Sequence, residues 1–338
     1  MRASSFSSSS FLPGWYRASP EVDFLARCLV SDTELEEGGA KALPLAAVLL
    51  EGPPGTGKTL FASALAEAWG AEIMGFAAHE WVSDETFVLS LDPAQVGAMA
   101  GGLIAPDAAR AYRLGVLAEA ALFSRLRGRL VLLLDELDKV PPAADALLLE
   151  FLNSGRVRVP AAGGGALEAR LREAGLSAPP PWIRREGAFL VAAADRRHLI
   201  VVATSNRRRD LSDELLRRFR VVEAGFLPAR AEAEVIVEEA RVPPAMALAI
   251  ARLLARMRGA PGCSFPSVPQ GVRLARDLMR ARTFEEARAA VLWNLARVDA
   301  DREWLREEGA GLVSALWGEM RRALASAPSP NGHGEASP

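Results

Sequence analysis

The chain has 338 residues, of which 50% are hydrophobic and 24% are charged, and its formal net charge is -2. This length allows two domains, and the apolar fraction suffices for a sizeable core, which excludes global disorder. The near-neutral balance argues against a protein that coats nucleic acid or an anionic membrane by bulk charge.

The numbers of cysteines and histidines exclude a disulfide framework and a Cys/His zinc site. Two cysteines, Cys28 and Cys263, are too few for a disulfide framework and fit a reducing compartment. With three histidines in the chain, no Cys/His zinc spacing exists. No apolar run approaches the ~18–20 residues of a membrane span, and the Ser-rich N-terminus lacks the apolar segment of a secretory signal. The sequence therefore predicts a cytoplasmic protein without a membrane span.

The first elements are an arm and a helix. Residues 1–20 are rich in Ser, Gly and Pro, which predicts a flexible N-terminal arm. Residues 19–30 start with Ser19 as a helix cap and Pro20 at the first helical position, and their apolar residues recur at helical spacing. A helix is therefore predicted there.

Five short runs further along the chain are almost entirely apolar, which is typical of strands buried on both faces. They cover residues 43–51, 71–78, 129–136, 198–205 and 220–226. Helical stretches such as 59–70 and 141–155 lie between them. This alternation predicts an α/β fold with a parallel, doubly wound sheet.

The pattern becomes all-helical after Pro228. Helices are predicted at 229–241, 243–258, 267–282, 284–297 and 301–326. Thr283 and Glu286 form a T-x-x-E capping box before one of them. The expected regions are a flexible arm (1–20), an α/β nucleotide-binding core (21–228), an all-α domain (229–326) and a disordered tail (327–338).

The strongest functional signal is a G-x-x-x-x-G-K-T segment between a predicted buried strand and a predicted helix. Glycines let consecutive backbone N–H groups turn inward around a polyphosphate, and the helix N-terminus adds positive potential. In such a loop Lys58 reaches the β- and γ-phosphates, and the Thr59 hydroxyl ligates magnesium. The nucleotide is expected to bind at Gly52, Pro53, Pro54, Gly55, Thr56, Gly57, Lys58, Thr59 and Leu60.

Two carboxylates, Asp135 and Glu136, end the third apolar run. Asp135 can hold magnesium together with Thr59, and Glu136 can act as the general base on the attacking water. Alone, this pattern also fits a strand end that turns to solvent. Its position downstream of a phosphate loop favours the catalytic interpretation.

Two further candidates follow the fourth apolar run. Asn206 can orient the nucleophilic water, although asparagine after a strand is also an ordinary turn residue. The Arg217–Arg218 pair can be solvated surface. It can also reach the γ-phosphate of a neighbouring subunit as a finger, a role suited to a planar, permanently charged fork.

Together these motifs resemble AAA+ ATPases over residues 43–326, and they are most similar to the MoxR-like branch of the helix-2-insert clade. The resemblance rests on EGPPGTGKT (51–59), AHEW (78–81), LLLDELDKV (132–140), LLLEFLNSGRVRVP (147–160) and ATSNRRRDLSDELLRRF (203–219). It implies a five-stranded parallel P-loop core with a helical lid. It also implies that Asn206 is sensor 1 and that Arg218, rather than Arg217, is the finger.

The resemblance further implies a ring-forming, magnesium-dependent ATPase, a hexamer, that remodels or activates a client protein. Proteins of this branch act with a von Willebrand factor A partner in the maturation of a metal-containing enzyme or complex. The alternatives are a DNA-associated AAA+ motor or restriction-type nucleotidase subunit, and a nucleotide-gated scaffold without catalysis.

Two insertions are typical of this branch. Residues 88–110 are predicted to interrupt the second helix, and residues 155–160 and 186–193 are predicted to be the strands of a hairpin before Asn206. The segment between those strands carries a run of glycines and a run of prolines. These clusters predict that residues 161–185 lie outside the core and are dispensable for folding.

Three arginines and one lid helix remain open to interpretation. The run Arg207–Arg209 lacks interleaved aromatic residues, which favours a subunit-interface or solvated role over nucleic-acid binding. In the lid, Gln270 stands where the family often has the sensor-2 arginine, and Arg273 lies one turn later. The identity of that sensor stays open.

Overall fold

The structure, a computed structural model, describes residues 10–35, 44–80, 84–103 and 111–325. The predicted tail 327–338 lies outside these ranges. The chain divides into two compact units, one made of the described residues up to 52 and of 57–224, the other of 53–56 and the residues from 225 onward.

The first unit contains eight helices and ten strands among the described residues. Its helices are α1 (Pro20–Glu34), α2 (Lys58–Trp69), α3 (Asp84–Val88), α4 (Pro93–Ala100), α5 (Val116–Leu126), α6 (Asp145–Ser154), α7 (Gly164–Glu173) and α8 (Asp213–Leu216). Its strands are β1 (Ala46–Glu51), β2 (Glu72–Ala77), β3 (Leu89–Leu91), β4 (Tyr112–Leu114), β5 (Leu130–Asp135), β6 (Arg156–Pro160), β7 (Ile183–Glu186), β8 (Phe189–Ala193), β9 (Leu199–Ser205) and β10 (Arg220–Glu223).

The five predicted strands form one parallel sheet in the order β10–β1–β9–β5–β2, which confirms the predicted α/β P-loop fold. In the three central strands, β1, β9 and β5, alternate residues face two separate cores. In β5, Leu132 and Leu134 join the core that contains α5 and α6, whereas Val131 and Leu133 join the core that contains α1 and α2. Since both faces of these central strands are covered, their residues are almost entirely apolar, as the sequence pattern indicates. The edge strands β2 and β10 are partly exposed, with Ile73 and Val221 at 44% and 47%.

The arm departs from the predicted flexibility. Leu12 is 2% exposed, and the backbone N–H groups of Phe11 and Leu12 donate to Asp23 Oδ1 at 2.7 and 2.9 Å. Tyr16 packs edge-on against Phe61 of α2, and burial raises its pKa to about 12. The arm is therefore packed against the core at Leu12 and Tyr16, because other parts of the chain cover their apolar surface, whereas Trp15 is 47% exposed. Residues 1–9 of the predicted arm lie outside the described ranges.

Within the insertion predicted at 88–110, the structure describes β3 and α4, and β3 pairs antiparallel with β4, which lies just after the insertion. Residues 104–110 of the prediction lie outside the described ranges. Leu89 pairs with Leu114 and Leu91 with Tyr112. Gly115 follows β4 and donates its N–H to the Val88 carbonyl at 2.8 Å. A Cβ at this glycine would lie 2.3–2.4 Å from backbone atoms of residues 86–88, so the close approach requires glycine.

The segment 161–185 is part of the core, and the prediction that it lies outside is wrong. The predicted hairpin strands are present as β6 and β8, but β7 adds a third strand beside β8. In α7, Leu167 and Leu171 are 1% and 2% exposed and join the core beside α5. Arg170 of α7 also pairs with Glu119 of α5 at 2.9 Å. The Gly and Pro clusters therefore flank a packed helix rather than a solvated excursion.

Replacing Leu171 by alanine is expected to lower the free energy of unfolding by about 2–5 kcal/mol, because a fully buried leucine leaves a cavity. Chemical denaturation measures this loss. Arg172→Ala is the matched control, because the neighbouring Arg172 side chain is 68% exposed, and it should change stability by less than about 0.5 kcal/mol. Equal midpoints for both variants would show that α7 is not part of the core.

The second unit contains six helices and no strand among its described residues, as an all-α domain requires. They are α9 (Ala229–Ala240), α10 (Pro244–Arg258), α11 (Val268–Leu278), α12 (Phe284–Leu295), α13 (Asp299–Arg306) and α14 (Ala310–Ala325). The predicted Thr283–Glu286 capping box starts α12. The single helix predicted at 301–326 is two helices, with Gly309 just before the second.

A buried ion pair joins two helices of this unit. Glu232 is fully buried, and Arg258 Nη1 donates to its Oε1 at 2.7 Å. Arg258 also donates to the Pro266 carbonyl and lies 3.7 Å from the Phe226 ring centroid. Burial raises the pKa of Glu232, and the charge of Arg258 acts in the opposite direction. The pair ties α9 to α10 at the cost of desolvating both charges.

Candidate active site

The phosphate-loop sequence leaves β1 through backbone conformations that only glycine adopts easily. Gly52 donates its N–H to the Ser205 carbonyl at 3.1 Å, and a Cβ on it would lie 2.1 Å from the Ala224 carbonyl oxygen. Gly57 has φ +87° and caps α2, which opens at Lys58. The loop therefore ends at the N-terminus of a 12-residue helix, where unpaired N–H groups and the helix dipole favour an anion.

Lys58 is 7% exposed and occupies the centre of the site. Its Nζ donates to the Gly52 carbonyl at 2.8 Å and to Asn206 Oδ1 at 2.9 Å. Burial lowers the pKa of Lys58, and the carboxylates of Asp135, Asp138 and Glu136 act in the opposite direction. The ammonium thus lies near the carboxylates at the end of β5 and in contact with the Asn206 amide after β9.

Thr59 and Asp135, the two residues predicted to hold magnesium, are in contact. Thr59 Oγ1 donates to the two carboxylate oxygens of Asp135 at 3.1 and 3.2 Å. A hydroxyl and a carboxylate side by side are the oxygen donors that Mg²⁺ prefers, so these residues fit the ion. Leu60, also predicted to contact nucleotide, is 56% exposed on the first turn of α2.

Glu136 and Asn206 are in direct contact. Asn206 Nδ2 donates to Glu136 Oε1 at 3.0 Å, and Lys139 Nζ forms an ion pair with Glu136 Oε2. The backbone of Glu136 has φ +56°, a left-handed conformation that is uncommon for residues other than glycine. Through its amide, Asn206 therefore connects Lys58 with the candidate base.

Three polar residues in the site were missed by the motif reasoning. Thr204 Oγ1 donates to Asp135 Oδ1 at 2.6 Å and accepts from the Glu136 N–H at 2.8 Å. Asp138 accepts the Asn206 N–H, and Lys139 pairs with Glu136. Asp138 and Lys139 stand in LLLDELDKV (132–140) and Thr204 in ATSNRRRDLSDELLRRF (203–219), two of the segments that carry the family resemblance.

The arginine candidates divide into two groups. Arg207 pairs with Glu51 and Glu223, both at 3.3 Å, and Arg209 pairs with Asp145 at 2.7 Å. Arg217 and Arg218 are exposed after α8, and neither guanidinium bonds to another residue in the described part of the chain.

In the all-α unit, Gln270 has a structural role. Its Oε1 accepts the Ser267 N–H at 2.8 Å, and its Nε2 donates to the Asn294 carbonyl at 3.0 Å, so it closes the capping box of α11. The polar atoms of the Gln270 side chain are therefore engaged in hydrogen bonds at the start of α11. Arg273, one turn later, is exposed.

Comparison with solved structures finds similar chains at low identity. A RuvB Holliday junction branch migration motor from Thermotoga maritima has 16% identity and a TM-score of 0.44, with 88% of this chain and 82% of that chain covered. A FIGL-1 AAA domain in complex with ADP has 17% identity and a TM-score of 0.38, with 77% of each chain covered. No curated protein sequence matches this chain.

The family model described as the ATPase family associated with various cellular activities (AAA) matches residues 48–225. The matched range spans the phosphate loop, both carboxylates of β5, Asn206 and the Arg217–Arg218 pair. It also spans the five-stranded parallel sheet whose strand ends carry these residues. The chain belongs to the AAA family of ATPases.

Proposed function

We propose that this chain hydrolyses ATP with Mg²⁺ in a ring homo-oligomer, a hexamer, and uses the reaction to remodel or activate a client protein. The contact that carries the proposal is the Asn206 amide, which touches both Lys58 and Glu136. It joins the residue that would hold phosphate to the residue that would activate water.

Binding is assigned to the loop and the start of α2. Lys58 and the N–H groups of the loop would hold the β- and γ-phosphates, so a phosphate oxygen would replace one of the present acceptors of Lys58. Thr59 and Asp135 would hold Mg²⁺, and Thr204 keeps the Asp135 carboxylate oriented. When bound, Mg²⁺ neutralises negative charge on the phosphate oxygens.

Catalysis is assigned to Glu136 and Asn206. Glu136 would take the proton of the attacking water, while the Asn206 amide orients that water. Asn206 and Lys139 each contact one of the two carboxylate oxygens, and each oxygen keeps a second lone pair that can accept the proton of the water. The finger is assigned to Arg218 of a neighbouring subunit, whose exposure in a single chain suits that role.

The client is proposed from the MoxR-like resemblance, which implies a von Willebrand factor A partner and maturation of a metal-containing enzyme or complex. The free thiols of Cys28 and Cys263 are consistent with the cytoplasmic setting that the sequence predicts. No helix in the described ranges has the length and apolar character that a membrane crossing requires. The ion pairs of Arg207 and Arg209 disfavour their use as a nucleic-acid surface.

The proposal is tested by measuring phosphate release from ATP by the purified chain, with Mg²⁺ or with EDTA, and with and without duplex DNA. We expect turnover that requires Mg²⁺ and changes little with DNA. Strong stimulation by DNA with a steep salt dependence would favour the DNA-motor alternative. Absence of turnover despite tight ATP binding would favour a nucleotide-gated scaffold.

A further inference from the structure

Asp138 lies in the single 3₁₀ turn Leu137–Lys139 that follows β5. It is 3% exposed. The mechanism proposed above does not use this carboxylate, although it lies two residues from Glu136. Removing a carboxylate from water costs free energy unless hydrogen bonds or opposite charges replace the lost hydration. The hydrogen-bond partners of Asp138 therefore indicate its role.

Its partners are backbone groups of the segment after β9. Asp138 Oδ2 accepts the N–H of Asn206 at 3.1 Å and the N–H of Arg208 at 2.8 Å. Arg207, between them, has φ +59°. A left-handed residue within such a segment lets neighbouring N–H groups converge on one anion. Here that anion is the side chain of Asp138.

The same short turn therefore holds both candidate catalytic residues. Glu136 begins the turn, and Asp138 fixes the backbone of Asn206 against it. The Asn206 side chain then meets Lys58 and Glu136 at 2.9 and 3.0 Å. A displacement of about 1 Å in the Asn206 backbone would lengthen both contacts beyond hydrogen-bond range.

Other anchors of this segment act on different atoms. Arg207 is held through its guanidinium by Glu51 and Glu223, and Arg209 through its guanidinium by Asp145. Among the described residues, only Asp138 accepts the backbone N–H of Asn206. The other oxygen of Asp138, Oδ1, is buried without a hydrogen-bond partner in the described ranges.

We propose that Asp138 is a positioning residue for ATP hydrolysis, which holds the backbone of Asn206 so that its amide can act on water beside Glu136. The effect on catalysis rests on the proposed function. The anchoring, meaning the two hydrogen bonds from the backbone N–H groups of Asn206 and Arg208 to Asp138, does not. The anchoring can be measured on the nucleotide-free chain.

Three substitutions separate acceptor geometry from charge. Asp138→Ala removes the acceptor. Asp138→Asn loses the charge but keeps one oxygen that can accept both N–H groups. Its amide nitrogen would take the place of Oδ1, the oxygen that has no hydrogen-bond partner among the described residues. Asp138→Glu keeps the charge and moves the oxygens by one methylene. If Asp138 served only to attract Lys58, the glutamate would be the better replacement.

The first measurement is amide hydrogen exchange of a peptide covering residues 204–210 in the nucleotide-free protein. We expect exchange at Asn206 and Arg208 about tenfold faster in Asp138→Ala and Asp138→Glu, and close to wild type in Asp138→Asn. Asp195→Ala is the matched control, because it removes another carboxylate of 8% exposure that bonds to Arg125 and Arg197. This control should leave the 204–210 peptide unchanged.

The second measurement is the split between kcat and nucleotide affinity. We expect kcat to fall by about 10²-fold in Asp138→Ala with an ATP Kd within about threefold of wild type, and Asp138→Asn to restore most of kcat. If Asp138→Ala does not fold, the comparison of Asp138→Asn with Asp138→Glu is sufficient to test the proposal.

Wild-type exchange in Asp138→Glu, or exchange in Asp138→Asn as fast as in a variant without the acceptor, would overturn the proposal. A parallel loss of affinity and kcat would overturn it as well. A wild-type chain without ATPase activity would refute the proposed function, and the exchange measurement would still decide the anchoring.

Discussion

Lys58→Ala is expected to abolish nucleotide binding, whereas Glu136→Gln is expected to bind ATP normally and hydrolyse it at least about 10²-fold more slowly. Lys58 is the buried cation beside the loop and would contact phosphate already in the ground state. Glu136 would act on water only as the reaction proceeds, and removal of a general base costs about 10²–10⁴-fold in rate.

Equilibrium binding of a fluorescent ATP analogue and steady-state phosphate release distinguish the two variants. Glu72→Gln is the matched control, because this exposed glutamate starts β2 at the opposite end of its strand from the catalytic edge. It should bind and hydrolyse like wild type. An equal loss of affinity in Lys58→Ala and Glu136→Gln would contradict the division of roles between ground state and transition state.

Arg218→Ala is expected to bind ATP with wild-type affinity and to hydrolyse it about 10³–10⁵-fold more slowly, the range found for arginine fingers. The guanidinium is exposed after α8 and bonds to no described residue of its own chain. An exposed guanidinium that is permanently charged and has no partner among the described residues is available to a phosphate on another subunit. Arg217→Ala, the neighbouring exposed arginine, is the control and should retain most of the activity.

Mixing tests whether Arg218 acts between subunits. Arg218→Ala and Lys58→Ala proteins are each expected to be inactive, but a mixed interface pairs an intact loop with an intact finger and should recover activity. Subunit exchange is demonstrated separately with labelled chains. If the subunits exchange and mixing restores nothing, the trans assignment is wrong, and Arg217 becomes the candidate.

Much of this architecture is predictable because its signals are local. Strands covered on both faces must be continuously apolar, so this reasoning identifies the three central strands of the sheet. The two partly exposed edge strands, β2 and β10, also lie within the predicted runs. The loop glycines, the T-x-x-E cap at Thr283 and the carboxylates after β5 each depend on backbone conformation within a few residues. Such features can be identified from the residue types alone.

Packing of short elements was not predictable from those signals. Leu12 and Tyr16 stand among Ser and Pro, and Leu167 and Leu171 stand between Gly and Pro clusters, so composition predicts exposure for both segments. Their burial depends on apolar surface supplied by residues distant in sequence, such as Phe61 for the arm. Composition describes a segment by itself and contains no information about what will cover it.

The sequence by itself determined the fold class, the phosphate loop and the identity of the candidate base, amide and metal-binding residues. The tertiary structure alone decided which of them touch. Parallel pairing of β5 with β9 sets Leu134 beside Ala203. The polar residues at the ends of the two strands then meet, Asp135 with Thr204, and so do the residues just after them, Glu136 with Asn206. Strand register is a relation between segments far apart in the chain, and a shift of one residue would turn each side chain to the opposite face. For this reason the anchoring of Asn206 by Asp138 becomes visible only in the folded chain.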